Sequence, residues 1–365
     1  MTTLDYDSLK DIFNEFISKE EIIFLDNFGH GHINDTYLVI TNKNKYILQR
    51  INNKVFKNIP GLMNNISLVT NYLGREIKEE GENYKRETLT YIKTLKGDSY
   101  LLKDEKYYRL YYYIDNTITF DVMNSKNLFK EVGRIFGVFI RRLSDFDPHL
   151  LISTIPDFHN TKKRYLDYLE AVRVNIKGRY QEVKAENDFL ERHKNIIGLI
   201  TDALLQETIP CRVTHNDTKI NNVLFDKNTE KAICVVDLDT VMPGSFLFDF
   251  GDAIRSGCNT ANEDEKDLSL VKFSLDLYQA YVDATLSELK NIITEKEKEM
   301  MSISAIIITL ECGMRFLTDY LAGDTYFKTN YSTHNLDRAR TQFKLVEEME
   351  NNYEKMEEIV RESNK

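Results

Sequence analysis

The sequence predicts an α+β chain of two lobes: an antiparallel sheet with flanking helices over residues 1–115 and a mainly helical lobe over residues 116–365. Three observations carry this. Short β-branched and aromatic runs alternate with Asn-, Gly- and Asp-containing turns through the first third. From residue 125 onward, apolar residues recur mostly at helical spacing. One stretch, residues 213–252, interrupts that pattern with a strand–turn–strand signal set among conspicuously polar residues.

The N-terminus is acidic and amphipathic, unlike a basic-then-apolar signal. Residues 5–20 pattern as a helix with Leu9, Ile12, Phe13 and Phe16 on one face. Strands follow at residues 22–25, 36–40 and 46–49. The first two are joined by a loop containing Gly29 and Gly31, the last two by a turn at residues 42–45. Two glycines two apart let a backbone close over a phosphate, although a plain hairpin turn fits them equally well. His30 and His32 flank Gly31. They read either as loop residues capping nearby backbone or as ligand contacts, with His32 the one turned inward. Residues 56–73 have helical spacing, and residues 107–115 form an aromatic strand ending in acid.

In the second lobe, residues 125–144 form the clearest helix, with Ser125 as its cap. A polar loop at residues 157–161 precedes polar helices over 162–206. Further helices are expected at 264–280 and 301–322, and one long apolar stripe over 336–360. Arg315, among apolar neighbours, has three readings: an ion pair with Glu311, one with Asp319, or contact with a ligand oxygen.

His215, Asp217 and Asn222 stand at the spacing H-x-D-x-x-x-x-N, which is that of a kinase catalytic loop. The apolar runs 223–225 and 232–236, separated by the polar turn 226–231, read as a hairpin. Pairing Leu224 with Val235 sets Asn222 beside Asp237, about 5 Å apart as cross-strand neighbours. An amide oxygen and a carboxylate so placed suit Mg²⁺ and the phosphates it bridges. Asp249-Phe250-Gly251 spells the letters of a kinase metal motif, but it lies past a further turn. Its aspartate is better suited to bonding the catalytic loop's backbone. Asp239, two residues from Asp237 on the same strand face, reads equally as a second metal ligand or a structural carboxylate. Kinases also carry a phosphate-holding lysine on the third strand, and here that run is Tyr46-Ile47-Leu48-Gln49-Arg50. Arg50 could supply the charge, but a regular strand would point it to the opposite face. Tyr113 lies where the aromatic strand leads into the second lobe, a place where kinases offer backbone groups to the adenine; a core strand is the other reading, and both can hold.

Composition fits this reading. The chain has 365 residues, 42% hydrophobic and 29% charged, with only 5 Pro and 15 Gly, so long flexible linkers are not expected. No unbroken run of about 18 apolar residues occurs, so no membrane span is expected. The four cysteines are far apart and read as reduced thiols in a cytoplasmic protein. The net charge of −10, with the acid excess in residues 116–365 (32 basic against 41 acidic), opposes nucleic-acid binding and favours a neutral or cationic acceptor. A monomer is expected, with dimerisation through the last helix as the alternative.

These motifs resemble the aminoglycoside phosphotransferase and choline kinase superfamily, and more narrowly the N-acetylhexosamine 1-kinases. The shared wording includes G-H-I-N-x-T-Y-L-V, Y-I-L-Q, R-V-T-H-N-D-T-K-I-N-N-V-L, D-L-D-T-V-M-P-G-S, L-F-D-F-G-D, E-C-G-M-R-F-L and H-N-L, spanning residues 29 to about 345. The resemblance implies a bilobal protein-kinase-like fold, ATP as co-substrate with Mg²⁺ as cofactor, Asp217 as base, and Asn222 and Asp237 as metal ligands. It further implies that His32, Asp217, Arg315 and Tyr326 line a sugar pocket, and that the anomeric hydroxyl of N-acetylglucosamine or N-acetylgalactosamine is phosphorylated. The absent strand lysine looks shared with this subgroup, because Y-I-L-Q belongs to the matched wording. The rival expectations are a kinase for an amino alcohol, amino acid or aminoglycoside, and a nucleotide-binding regulator that has lost catalysis.

Overall fold

A nine-residue helix, α1 (Tyr6–Asn14), opens the computed structural model, which describes residues 6–29, 33–120, 123 and 125–363. The chain divides into two compact units. The first comprises Met1–Ile118, Asp145–Pro156 and Leu224–Met242, and the second the remainder.

The first unit is built on an antiparallel sheet. Strands β1 (Ile22–Asn27), β2 (Asp35–Thr41) and β3 (Lys45–Ile51) form a meander. The helices α2 (Ile59–Glu79) and α3 (Tyr84–Glu87) come next, then β4 (Tyr91–Ile92), β5 (Leu101–Lys103), β6 (Lys106–Tyr112) and β7 (Thr117–Ile118). Strand β6 pairs with β3, placing Leu110 opposite Leu48 and Arg109 opposite Gln49. Alternation then decides the faces. Tyr46, Leu48, Tyr108 and Leu110 lie on the side covered by Leu9, Ile12 and Phe13 of α1 and by Phe16 just past its end, so the apolar residues read from the sequence make the core contact. Helix α2 begins three residues later than expected and runs six further. Asn58 caps it, its side chain accepting from Gly61 N–H at 3.0 Å, and Pro60 sits in the first turn where no donor is needed.

The second unit is helical. Helix α4 (Lys126–Arg142) buries Leu128, Val132, Ile135, Phe136, Phe139 and Ile140, and Ser125 stands at its N-cap position without a side-chain cap hydrogen bond. It is followed by α5 (Thr161–Val174), α6 (Lys184–His193), α7 (Leu199–Leu205) and the short strand β8 (Arg212–Thr214). After β8 the chain enters the polar loop and then the hairpin of β9 (Val223–Asp226) and β10 (Ala232–Val235), which from Leu224 on belongs to the first unit. That hairpin is closed by Asp226 N–H to Lys231 O, and β9 also pairs with β7. The chain ends in α8 (Phe246–Gly257), α9 (Leu275–Leu289), α10 (Glu295–Ala322), α11 (His334–Glu350) and α12 (Tyr353–Ser363).

Helix α1 ends at Asn14, short of the expected residue 20, and two further helix expectations need correction. The helix expected at 264–280 begins only at Leu275, because Ser274 caps it by accepting from Leu277 N–H. The stripe over 336–360 is two helices separated at Asn351 and Asn352. Helix α10 also starts earlier than read, behind a capping box in which Thr294 and Glu297 satisfy each other's backbone N–H groups. At 28 residues α10 is long and apolar enough to cross a bilayer, but 83% of its apolar window is buried as the centre of the second unit. Gly251 on α8 makes the close approach to α10 possible: a Cβ there would meet Ser304 O and Ile308 at 2.7 Å.

Candidate active site

The loop after β8 is held almost wholly through its backbone. The Asp249 carboxylate accepts from His215 N–H at 2.8 Å and from Asn216 N–H at 2.6 Å. Asp252, one helical turn on, accepts Thr218 N–H at 3.0 Å, and the Thr218 hydroxyl donates to Asp249 O at 2.6 Å. Helix α8 therefore presents two buried carboxylates to the loop, and the structural role expected for Asp249 is the one it has. Burial is the main influence on Asp249 and pushes its pKa up to about 6, against the pull of His215 and the two N–H groups.

The loop's other side is braced by His159 and Thr161, from the stretch read as a polar loop, and by Glu311, read as a candidate partner of Arg315. Asn216 has φ 64°, a left-handed conformation that a non-glycine residue keeps only when its surroundings hold it. Its carbonyl faces His159 Nε2 at 3.4 Å, and His159 Nδ1 meets the buried Glu311 carboxylate at 2.9 Å. Thr161 donates to the same carboxylate at 2.6 Å. His215 is fully buried, with Phe136 and Phe139 of α4 edge-on to its ring, and its Nδ1 accepts Asp217 N–H at 3.3 Å. These contacts make it a brace for the loop.

Asp217 stands out of this scaffold with its side chain 28% exposed. Lys219 Nζ lies 2.7 Å from Oδ1, and Asn222 Nδ2 donates to Oδ2 at 2.9 Å and to the Asp217 carbonyl at 2.8 Å. Burial works to raise this carboxyl, but the opposing charge and hydrogen bond of Lys219, together with His215 and Asn222, bring its pKa down to about 2. It is ionised at any neutral pH. Because the Asn222 amide spends its N–H₂ on Asp217, its oxygen has no hydrogen-bond partner among the described residues.

Arg315 and Tyr326 occupy the same unit. The Arg315 guanidinium lies over the rings of Phe158 at 5.1 Å and Phe327 at 5.7 Å. Among the described residues it has no ion pair. Glu311 is taken by His159 and Thr161, while Asp319 accepts the N–H groups of Thr325, Tyr326 and Phe327 at 2.8–2.9 Å. Asp319 thereby shapes the loop that presents Tyr326, whose side chain is largely exposed. Arg164, bonded to Phe158 O, has its pKa lowered by burial first and by the nearby charge of Arg315 second.

In the first unit, Gly29 has φ 74° with open space about it, a conformation that favours glycine. Gly31 and His32 lie outside the described residues. The Tyr113 ring packs edge-on against Phe28 at 5.8 Å, and its N–H donates to Lys45 O. Arg50 is buried on the α1 side of the sheet and pairs with Asp35. The opposite face carries Gln49 and Arg109 instead. Strand β10 ends at Val235. Asp237 then turns left-handed (φ 59°, ψ 58°) and Leu238–Thr240 forms a 3₁₀ turn, so Asp237 and Asp239 do not share a strand face as the sequence suggested. Asp237 is exposed. Asp239 is buried, with both oxygens engaged by Arg109 and Asn34, which makes it a structural carboxylate.

Among the described residues no three His, Cys, Asp or Glu side chains gather into a closed metal cage. Mg²⁺ does not need one: it is usually held by one or two carboxylates together with substrate phosphates and water. The unpartnered Asn222 oxygen and the exposed Asp237 carboxylate are hard-oxygen donors of the type it takes. A cavity of about 770 Å³ against α2, lined among others by Thr70, Lys78, Tyr91 and Lys93, contains none of the motif residues.

The phosphotransferase enzyme family model (APH) matches residues 25–268. Among solved structures, the chain is similar to a microcompartment-associated aminopropanol kinase (13% identity, 96% of this chain and 98% of that chain covered, TM-score 0.62). It is also similar to an aminoglycoside phosphotransferase from Alicyclobacillus acidocaldarius (11%, 99% and 98%, 0.61). A choline kinase from Cryptosporidium parvum is a further match (15%, 98% and 96%, 0.53). At these identities the likeness is one of fold.

Proposed function

The chain belongs to the APH phosphotransferase enzyme family, and from that premise we propose that it transfers the γ-phosphoryl group of ATP to the anomeric hydroxyl of an N-acetylhexosamine. The observation that carries the acceptor class is Arg315. A guanidinium with no carboxylate partner among the described residues, beside a second arginine, Arg164, repels an amine and suits the hydroxyl and carbonyl oxygens of a neutral acetamido sugar. His32, Tyr326 and Asp217 complete the sugar contacts in this reading. Gly29, Gly31 and Tyr113 meet the nucleotide. Arg50, spent on Asp35, is given no phosphate contact.

Asp217 orients the sugar hydroxyl in line with the γ-phosphorus. As the oxygen–phosphorus bond forms and the bond to the β–γ bridging oxygen breaks, ADP leaves and the hydroxyl proton passes to Asp217. A carboxylate held near pKa 2 is a weak base, so its main contribution is alignment, with proton transfer late in a loose transition state. Lys219, on the same carboxylate, lies where it can meet the transferring phosphoryl group. Asn222 and Asp237 would hold Mg²⁺, which neutralises charge on the β- and γ-phosphate oxygens when bound.

A kinase acting on an amine-bearing alcohol is the second reading, favoured by the aminopropanol and choline kinase likeness. ADP release measured side by side with N-acetylglucosamine, N-acetylgalactosamine, glucose, choline and aminopropanol separates the two. Turnover restricted to choline or aminopropanol would refute the sugar assignment.

A further inference from the structure

Gln49 stands on the strand where kinases carry a phosphate-holding lysine, and the neighbouring Arg50 is turned to the other face. The cation directly across from Gln49 is one strand away. Arg109 of β6 lies directly opposite Gln49 and is 1% exposed. Its Nε donates to Gln49 Oε1 at 2.8 Å, and its Nη1 to Asp239 Oδ1. Gln49 Nε2 in turn donates to Thr36 Oγ1 at 3.0 Å. The other Asp239 oxygen accepts Asn34 Nδ2 at 2.6 Å, and Asn34 Oδ1 accepts Asn52 N–H at 3.0 Å. A hydrogen-bonded line thus runs from β2 through β3 and β6 to the 3₁₀ turn at Leu238–Thr240.

That turn follows directly on Asp237. A non-glycine residue at φ 59° is disfavoured on its own and persists because its neighbours over-determine it. The two exposures fit such a division of labour, with Asp239 buried and bonded through both oxygens and Asp237 exposed. Arg109 is also unsuited to meeting a phosphate itself, because it is enclosed and its charge is matched by Asp239.

We propose that Arg109 is a positioning residue for the metal-binding aspartate: through Asp239 it locks the turn that holds Asp237 left-handed with its carboxylate outward. It acts through that turn where other kinases use a strand lysine on the phosphates. This rests on the reading of Asp237 as a metal ligand.

The test titrates Mg²⁺ into the full-length protein with a fluorescent ADP analogue and reads the Mg²⁺ concentration at half-saturation, without turnover. Arg109→Met raises that concentration by about 10- to 100-fold, the cost typical of losing a group that orients a metal ligand. Arg109→Lys restores part of it, and metal-free analogue affinity stays unchanged. Asn34→Ala, which removes a donor to Asp239 while leaving the buried cation in place, shifts the value in the same direction. A folded Arg109→Met protein whose Mg²⁺ half-saturation stays within about twofold of the parent overturns the proposal. If Arg109→Met does not fold, an unchanged value for Asn34→Ala overturns it alone. Asp237→Ala is measured in parallel. If it leaves the Mg²⁺ dependence intact, the metal assignment fails and the positioning role falls with it. If Asp237→Ala abolishes the dependence while Arg109→Met does not alter it, only the positioning role fails.

Discussion

Asp249 holds the backbone N–H groups of His215 and Asn216 with its two carboxylate oxygens, at 2.8 and 2.6 Å. One side chain of α8 thus sets the two residues that precede Asp217, and the left-handed Asn216 turns the chain so that Asp217 emerges. The three letters Asp249-Phe250-Gly251 therefore mark the loop's anchor.

This anchor has a pH signature. The Asp249 pKa is raised to about 6 from an ordinary 3.8, so the stability it contributes is fully present below about pH 4 and is lost as pH rises through about 6. The expected loss is on the order of 3 kcal/mol. Asp249→Asn removes that dependence, and melting temperatures of parent and variant between pH 4 and 7.5 should converge as pH rises. Parallel curves would contradict the assignment.

Asp217 has the opposite sign. Held at about 2, it contributes stability that is present above its ordinary 3.8 and lost as pH falls through about 2. Lys219→Met takes away the chief opposing charge and lets burial raise the carboxyl above its ordinary range. An acid limb should then enter the kcat/KM profile between about pH 4 and 6, where the parent profile has none from this group.

Asp217→Asn keeps the side chain's size and one of its two acceptor oxygens but cannot take the proton. Turnover should fall by roughly 10²- to 10⁴-fold with ADP affinity near that of the parent. Rapid-quench kinetics and calorimetric titration check the two halves of that statement.

Arg315→Met should raise KM for the sugar by about 10- to 100-fold, the worth of a hydrogen bond to a charged group, while leaving KM for ATP near that of the parent. Initial-rate kinetics with each substrate varied in turn would show it. An equal rise in both KM values would point to a general disturbance of the unit.

What can be read from the sequence is what is local. His215, Asp217 and Asn222 are fixed by spacing within eight residues, and the hairpin follows from two apolar runs and a polar turn. The α1 stripe is legible because four residues at helical spacing need one apolar face. The supports of the loop are not, because they join distant segments. His159 reaches Glu311 across 152 positions, and Arg109 reaches Asp239 across 130. Nothing local distinguishes such residues from solvated charges. Helix starts differ from the periodicity where a single cap, Ser274 or Thr294, outweighs the pattern around it. The separation of Asp237 from Asp239 depends on one left-handed residue, which alternation along a strand does not reveal.

The measurement that bears most directly on the sugar 1-kinase assignment is ³¹P NMR of the product formed from ATP, Mg²⁺ and N-acetylglucosamine or N-acetylgalactosamine, with choline as the competing acceptor. The expected product is a phosphomonoester on the anomeric carbon, coupled to the anomeric proton, with no phosphocholine. Phosphocholine formed in preference, or a sugar phosphate at any other hydroxyl, would contradict it.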